Sequence, residues 1–140
     1  MDLFQTYMTV MNHIQSNQVD EALGYFAEDV ELHTAAGALP PLQGKQQVEA
    51  WLRSSEHQNH KLTVFKQVSS DNTLFVEGVD EFDHPDGAHL VLPYAGVFEF
   101  SDGLITGWRD YLDTGLFARA LAGKEVKDHV TQLVSRPAIN

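Results

Sequence analysis

The chain has 140 residues, 43% of them hydrophobic, and a formal net charge of −11 from 20 acidic and 9 basic side chains. This composition predicts one folded domain rather than a disordered chain, and no apolar run reaches the roughly 20 residues of a membrane helix. The acidic balance argues against nucleic-acid binding, and the lack of cysteine and of a recognisable secretory signal predicts a cytoplasmic protein without disulfides.

Helices precede strands along the chain. Apolar residues at helical spacing predict three N-terminal helices, at 2–16, 19–26 and 44–55. Alternating residues predict five strands, at 29–34, 61–68, 74–82, 91–100 and 103–113. Two further helices are predicted at 115–122 and 124–134. We expect one domain over residues 1–122, followed by a C-terminal extension at 123–140.

Short turns join the last three predicted strands, at 84–87 and 101–103, and indicate hairpins in an antiparallel meander. Helices followed by such a sheet form an α+β pattern. We expect a cone, in which a strongly curved antiparallel sheet packs against three N-terminal helices and leaves an apolar interior open at one end. Gly78 and Gly96 lie within strands, which fits either curvature or the close approach of a ligand.

Two aspartates lie on the apolar faces of predicted strands. Alternation places Asp110 on the same face as Trp108, and it places Asp80 on the more apolar face of 74–82. A carboxylate among large apolar side chains is costly unless it is paired, hydrogen-bonded or protonated. Two carboxyl groups in one dry pocket can serve as an acid and a base. The alternative is that each only accepts structural hydrogen bonds.

Three segments of the chain resemble the nuclear transport factor 2-like superfamily, and within it the limonene-1,2-epoxide hydrolase and SnoaL-like polyketide cyclase group. The segments are 22–30, 44–48 and 96–113. The most specific of the matching residues form the run Gly107-Trp108-Arg109-Asp110-Tyr111-Leu112-Asp113. The likeness extends from the first helix to about Leu121.

This resemblance implies a hydrolase, isomerase or cyclase that acts on a small apolar molecule without a cofactor. In the epoxide hydrolases one Asp, with a Tyr and an Asn, holds the attacking water as general base. A second Asp protonates the epoxide oxygen, and an Arg lies between the two carboxylates. The base matches Asp110 and the acid matches Asp80. The family's Arg, Tyr and Asn fall at Gly78, Leu32 and Thr34, so these functional positions differ.

The predicted site is an apolar pocket with Asp80 as a protonated acid and Asp110 as an ionised base. The residues expected to contact substrate are Thr34, Leu32, Trp108, Tyr94, Gly78 and Phe98. The alternatives are a non-catalytic small-ligand binder and a protein-interaction module of the same fold. A cavity of roughly 300 Å³ or more would favour a ligand, and a filled cone would favour an interaction module.

Other polar side chains are assigned structural roles. His57 and His60 have a spacing that a metal could use, but a third ligand is not evident and we expect both in a solvated loop. Strand alternation points Arg109 away from Asp110, so we expect it to pair with an acid such as Glu99 or Asp113, or to line a subunit interface.

The outer face of the predicted sheet is apolar and needs to be covered. The residues expected on it are Val91, Pro93, Ala95, Val97, Ile105 and Tyr111. A two-fold contact between the sheets of two copies would cover this face, as the resemblance also implies. We therefore expect a homodimer.

Overall fold

The structure is a computed structural model that describes residues 2–54 and 58–140, with the side chain of residue 58 left aside. Its helices are α1 (Leu3–Gln15), α2 (Val19–Leu23), α3 (Lys45–Leu52), α4 (Thr114–Leu121) and α5 (Asp128–Val134). Its strands are β1 (Phe26–His33), β2 (Leu42–Gln43), β3 (Gln58–Ser70), β4 (Thr73–Asp83), β5 (His89–Ser101) and β6 (Leu104–Leu112). Within the described ranges no helix is long and apolar enough to cross a bilayer.

In the described part of the chain, six strands form one curved, unclosed sheet in the order β2-β1-β6-β5-β4-β3. Strands β3 to β6 form the predicted antiparallel meander. β1 instead lies parallel to β6, so the sheet is not antiparallel throughout. The short β2 falls at the end of a segment predicted as a loop and pairs with β1. The α+β class with a curved sheet against helices is confirmed.

Tight turns fix the register of the meander. Asp102 and Gly103 both adopt positive φ angles, of 52° and 80°, and Ser101 pairs with Leu104 across them. Two successive residues of this conformation match the right-handed twist of the strands that they join. This turn therefore holds β5 and β6 in the register that brings the concave residues together.

The core lies between the concave face of the sheet and the helices. Asp2 caps α1 by accepting hydrogen bonds from the backbone of Phe4 and Gln5, and the helix buries Tyr7 and Met11. The Tyr7 ring packs on Phe98 of β5 with 4.7 Å between ring centroids. Helix α3 contacts β1, so α1 and α3 together cover the inside of the sheet.

The end of one helix and the start of one strand differ from the prediction because of strand pairing. The second helix ends at Leu23, since Phe26 begins β1 and pairs with Ile105 of β6. β3 begins at Gln58 rather than at residue 61, which places three more residues in the sheet. The third helix ends at Leu52, and residue 55, its predicted end, lies outside the described residues.

The expectation that Ile105 faces outward is wrong. Gly107 pairs with Glu99, while Ile105 pairs with Phe100, so Thr106 is an extra residue in β6. Such a bulge reverses the alternation of side chains. Ile105 is consequently fully buried in the core, whereas Trp108 keeps its predicted inward direction.

The C-terminal extension packs against the sheet. Helix α5 contacts β5 and buries Val130. Beyond it, Arg136 forms two hydrogen bonds with the Glu77 carboxylate, at 3.2 and 3.1 Å, and its guanidinium lies 4.4 Å above the Phe65 ring. The last residue, Asn140, bonds the edge of β3 at Val64 N, at 2.9 Å. The boundary at 122 stays a prediction.

Candidate functional site

A cavity of about 580 Å³ lies between the concave face of the sheet and helices α1, α3 and α4. Its wall is largely apolar and aromatic, with contributions from Met11, Ile14, Leu62, Leu92, Leu112 and Phe117. The volume exceeds the roughly 300 Å³ that distinguishes a ligand site from a filled cone. The interior of the cone is therefore a pocket of a size that suits a small molecule.

Most residues that the sequence assigned to the site line this cavity. They are Thr34, Asp80, Tyr94, Phe98, Trp108 and Asp110. The other two assigned residues lie outside its described lining: Leu32 is fully buried in the core, and Gly78 packs against the backbone of β3. A contact of any of these residues with substrate stays a prediction.

The register of the meander brings the two aspartates to one wall. Asp80 of β4 pairs with Leu92 of β5, and Asp110 of β6 pairs with Gly96. Tyr94 lies between Leu92 and Gly96 on the same face of β5, so it is diagonal to both carboxyl groups. A Cβ atom at Gly96 would lie 3.1 Å from Asp110 Oδ1. The glycine thus leaves room for that carboxyl group.

Asp110 is a partly exposed residue whose carboxyl group is buried among apolar neighbours. Burial is the main cause that raises its pKa to about 8; a hydrogen bond from Trp108 opposes this rise, and the negative charge of Asp80 adds to it. That bond runs from the indole Nε1–H to Asp110 Oδ1 at 2.9 Å. The side chain therefore carries a proton at pH 7, and the expectation that Asp110 is the ionised member of the pair is wrong.

Asp80 has a different environment. Its Oδ1 forms a hydrogen bond with Nε2 of His60, and the two side chains are 33% and 15% exposed. The imidazole packs edge-on to the Phe82 ring, with 6.3 Å between centroids. A histidine at this place can donate its Nε2–H to a carboxylate. Asp80 is thus a paired and partly exposed acid, in contrast to Asp110.

The placement of His60 in a solvated loop is wrong. Because β3 begins at Gln58, His60 is a strand residue on the same face as Leu62, and both line the cavity. A strand pattern extended two residues toward the N-terminus would have indicated this direction. His57 lies outside the described residues.

A pair of tyrosines completes the polar part of the wall. The hydroxyl oxygens of Tyr7 and Tyr94 are 2.9 Å apart and buried. Burial raises the pKa of both phenols, so both remain protonated donors at neutral pH. The sequence predicted that Tyr94 would face inward, but Tyr7 was missed because its helical spacing indicated only a core position.

The position that carries the family's Arg cannot hold a side chain here. A Cβ atom at Gly78 would lie 2.2 Å from the backbone oxygen of Thr63. Gly78 pairs with Val64 next to a bulge in β3, which brings the two backbones close together. The glycine is therefore required by the packing of β3 on β4.

Arg109 faces outward, away from Asp110, as the sequence predicted. Arg109 donates from its Nη1 to Glu99 Oε2 at 2.9 Å, which confirms the predicted pairing. In residues 2–54 and 58–140, no three His, Asp or Glu side chains converge as a metal would require. The chemistry that the cavity can support is acid–base chemistry by the carboxyl, imidazole and phenol groups described above.

Solved structures with the same architecture define the class of fold. An M. tuberculosis LEH-like epoxide hydrolase is similar to this chain with a TM-score of 0.74 and 21% identity, over 86% of this chain and 90% of that one. An NTF2-like protein of unknown function from Burkholderia pseudomallei K96243 has a TM-score of 0.76 and 20% identity, over 86% and 97%. The epoxide hydrolase/cyclase-like enzyme SalBIII has a TM-score of 0.73 and 13% identity, over 81% and 92%. The fold is NTF2-like.

The sequence itself gives the family. The profile of the SnoaL-like domain matches residues 4–108, which is more than half of the chain. The matched segment runs from α1 into β6 and includes Asp80 and His60, but it ends just before Asp110. The chain belongs to the SnoaL-like domain family.

Proposed function

We propose that the protein is a cofactor-independent acid–base enzyme that opens an epoxide in a small apolar molecule. The observation that carries this proposal is the pair of unlike carboxyl groups on one cavity wall. Asp110 is protonated at neutral pH because it is buried, whereas Asp80 is paired with His60. Two carboxyl groups with different surroundings on one wall can supply an acid and a base.

In the proposed reaction Asp110 is the proton donor and Asp80 is the proton acceptor. A water oxygen attacks one epoxide carbon, and the proton that this water loses goes to the Asp80 carboxylate. The C–O bond of the epoxide breaks as Asp110 gives its proton to the departing oxygen, so that the product is a diol. Proton transfer through solvent from Asp80 to Asp110 restores the starting state. The roles are the reverse of those that the family resemblance assigns.

The rest of the wall suits an apolar substrate with one polar end. The Phe98 and Trp108 rings pack 5.1 Å apart beside the carboxyl groups. The Tyr7 and Tyr94 hydroxyls stay protonated and share one mutual hydrogen bond, so the pair retains a second O–H for an acceptor oxygen. A pocket of apolar surface with a few placed donors fixes the orientation of a small molecule.

The two named neighbours support the reaction class. One is described as an LEH-like epoxide hydrolase, and the other as an epoxide hydrolase/cyclase-like enzyme with a role in pyran ring formation. In a cyclase a hydroxyl group of the substrate would take the place of water, with the same donor and acceptor.

The test is turnover of a panel of cyclic and terpene-like epoxides. We expect the parent to form diols and Asp110→Asn and Asp80→Asn each to lower kcat about 100-fold or more. Asp29→Asn is the matched control, since Asp29 is an exposed residue of β1 that is not part of the described cavity lining, so this variant should leave turnover unchanged. Absence of turnover by the parent would remove the epoxide assignment. Binding of these compounds without turnover would indicate a non-catalytic ligand binder.

A further inference from the structure

We propose that His60 is the positioning residue of this site, which holds the Asp80 carboxylate toward the cavity from the neighbouring strand. The inference deepens the proposed function and rests on it for the role of Asp80. Three features of β3 and β4 carry it: the closed space at Gly78, the direction of His60, and the contact between His60 and Asp80.

Strand β4 supplies no polar partner for Asp80 from the two nearest positions on its own concave face. Two residues later lies the apolar Phe82, and two residues earlier lies Gly78, where an added Cβ would come within 2.2 Å of Thr63 O. The atom that it would meet is backbone of β3, so a side chain could enter only if the two strands moved apart. A group that holds Asp80 must therefore come from another element.

Strand β3 supplies that group. Leu62 pairs with Asp80, and His60 lies two residues before Leu62 on the same face. Its Nε2 meets Asp80 Oδ1, and its ring packs against Phe82. At 15% exposure the imidazole has little freedom to turn away from the carboxyl group. The hydrogen bond thus fixes the direction in which Asp80 faces the cavity.

The residue before His60 anchors this end of β3. Asn59 adopts a positive φ of 53°, and its side-chain amide donates to Asp83 Oδ2 at 2.7 Å. Asp83 is the last residue of β4, so this contact ties the start of β3 to the end of β4. The tie holds His60 beside Asp80, where the regular pairing of the two strands is interrupted.

The chain offers a matched control for this pair. His89 also contacts an aspartate, with Nδ1 2.8 Å from Asp83 Oδ1, but its side chain is 58% exposed and it is not part of the described cavity wall. Exposed pairs of this kind contribute little to stability. His89→Leu therefore makes the same chemical change as His60→Leu without touching the site.

The first experiment compares kcat and KM for any epoxide that the parent opens. We expect His60→Leu to lower kcat about 10- to 100-fold with KM within about twofold, because the charge-assisted bond to Asp80 is lost while the apolar wall remains. His60→Gln keeps an N–H donor and should recover most of kcat, and His89→Leu should match the parent. An unchanged kcat in His60→Leu would overturn the proposal.

The second experiment does not depend on turnover. It measures unfolding midpoints in denaturant for His60→Leu, Asp80→Asn and the double variant. A positioning pair predicts that the double variant loses less stability than the two single losses added together. Simple addition of the two losses would overturn the proposal, even if turnover by the parent had confirmed the epoxide activity. Conversely, non-additive stability losses in a protein that turns over no epoxide would support His60 and Asp80 as a positioning pair and would reject the proposed reaction.

Discussion

A carboxyl group with one indole donor and apolar neighbours behaves differently from one with an imidazole partner. Asp110 accepts a bond from Trp108, which is too little to offset the loss of water around the carboxylate, and its pKa rises to about 8. Asp80 is 33% exposed and is bonded to His60. The raised pKa of Asp110 therefore arises from its surroundings rather than from its identity as an aspartate.

The raised pKa of Asp110 predicts how the free energy of unfolding changes with pH. The unfolded chain releases the Asp110 proton near pH 4, whereas the folded chain keeps it up to about pH 8. Because the unfolded state then binds fewer protons, the free energy of unfolding falls as pH rises through that window. Asp110→Asn keeps the acceptor for Trp108 and removes this loss. We expect a gain at pH 7 of up to about 4 kcal/mol, which disappears below about pH 4.

Denaturant unfolding of the parent and Asp110→Asn at several pH values would check this prediction. Asp83→Asn is a suitable comparison, because hydrogen bonds from Asn59 and His89 lower the pKa of Asp83, so this substitution should not stabilise the fold. An Asp110→Asn gain of the same size at pH 4 and at pH 8 would contradict a raised pKa in the parent.

At the level of elements, the β3–β4 pair determines what the site can contain. The bulge beside Val64 brings the Thr63 carbonyl against Gly78, so this register excludes a side chain at the family's Arg position. The same strand then places His60 on the concave face. The β3–β4 register thus leaves no room for a side chain at Gly78 and places an imidazole of β3 beside Asp80.

Gly78→Ala should therefore be strongly destabilising. The added Cβ would meet backbone at 2.2 Å, which forces the strands apart, and we expect a loss of about 3 kcal/mol in the free energy of unfolding. Gly24→Ala is the control, since Gly24 has helical backbone angles and its Cβ would lie 3.4 Å from the nearest atom. Chemical denaturation would measure the free energy of unfolding of both variants. Similar stabilities would show that β3 adapts easily.

Alternation alone predicted the meander, the hairpin turns and the inward direction of Asp80 and Asp110. It failed at Ile105, because a bulge that adds one residue to β6 leaves no signal in the pattern of apolar residues. It failed at His60, because the polar start of β3 has the composition of a loop. The protonation of Asp110 could not be predicted, since burial depth depends on the helices that close the cavity.

At the level of the whole molecule, the C-terminal extension is part of the packed structure. Arg136 joins Glu77 of β4 and Phe65 of β3, and Asn140 bonds the free edge of β3. An edge strand covered in this way has fewer unpaired backbone groups for other chains to bind. The extension thus stabilises the strand that carries His60.

Arg136→Ala should lower the free energy of unfolding by about 1 kcal/mol, since it removes a half-exposed ion pair and a cation–π contact. Thermal unfolding would measure this loss. Arg119→Ala is the control, because Arg119 makes one long bond of 3.4 Å to a backbone oxygen. Equal melting temperatures for the two variants would show that the contacts of Arg136 do not contribute to stability.

The outer face of the sheet remains the predicted dimer surface. Phe75 and Tyr111 are 42% and 49% exposed and lie beside Val97 and Ala95 of β5. We expect sedimentation of a dimer, and of a monomer for Tyr111→Glu. Leu121→Glu changes an exposed residue of α4 that is 38% exposed and should leave the dimer intact. A parent that sediments as a monomer would contradict this prediction.

The titration of Asp110 itself is the most direct test of its assignment as the acid. Carbon-13 NMR of the aspartate carboxyl groups, with the Asp110 signal identified by its absence in Asp110→Asn, gives the midpoint without any substrate. We expect a midpoint of about 8, so that this side chain is a proton donor at neutral pH. A midpoint near 4, as in an exposed aspartate, would contradict the assignment of Asp110 as the acid.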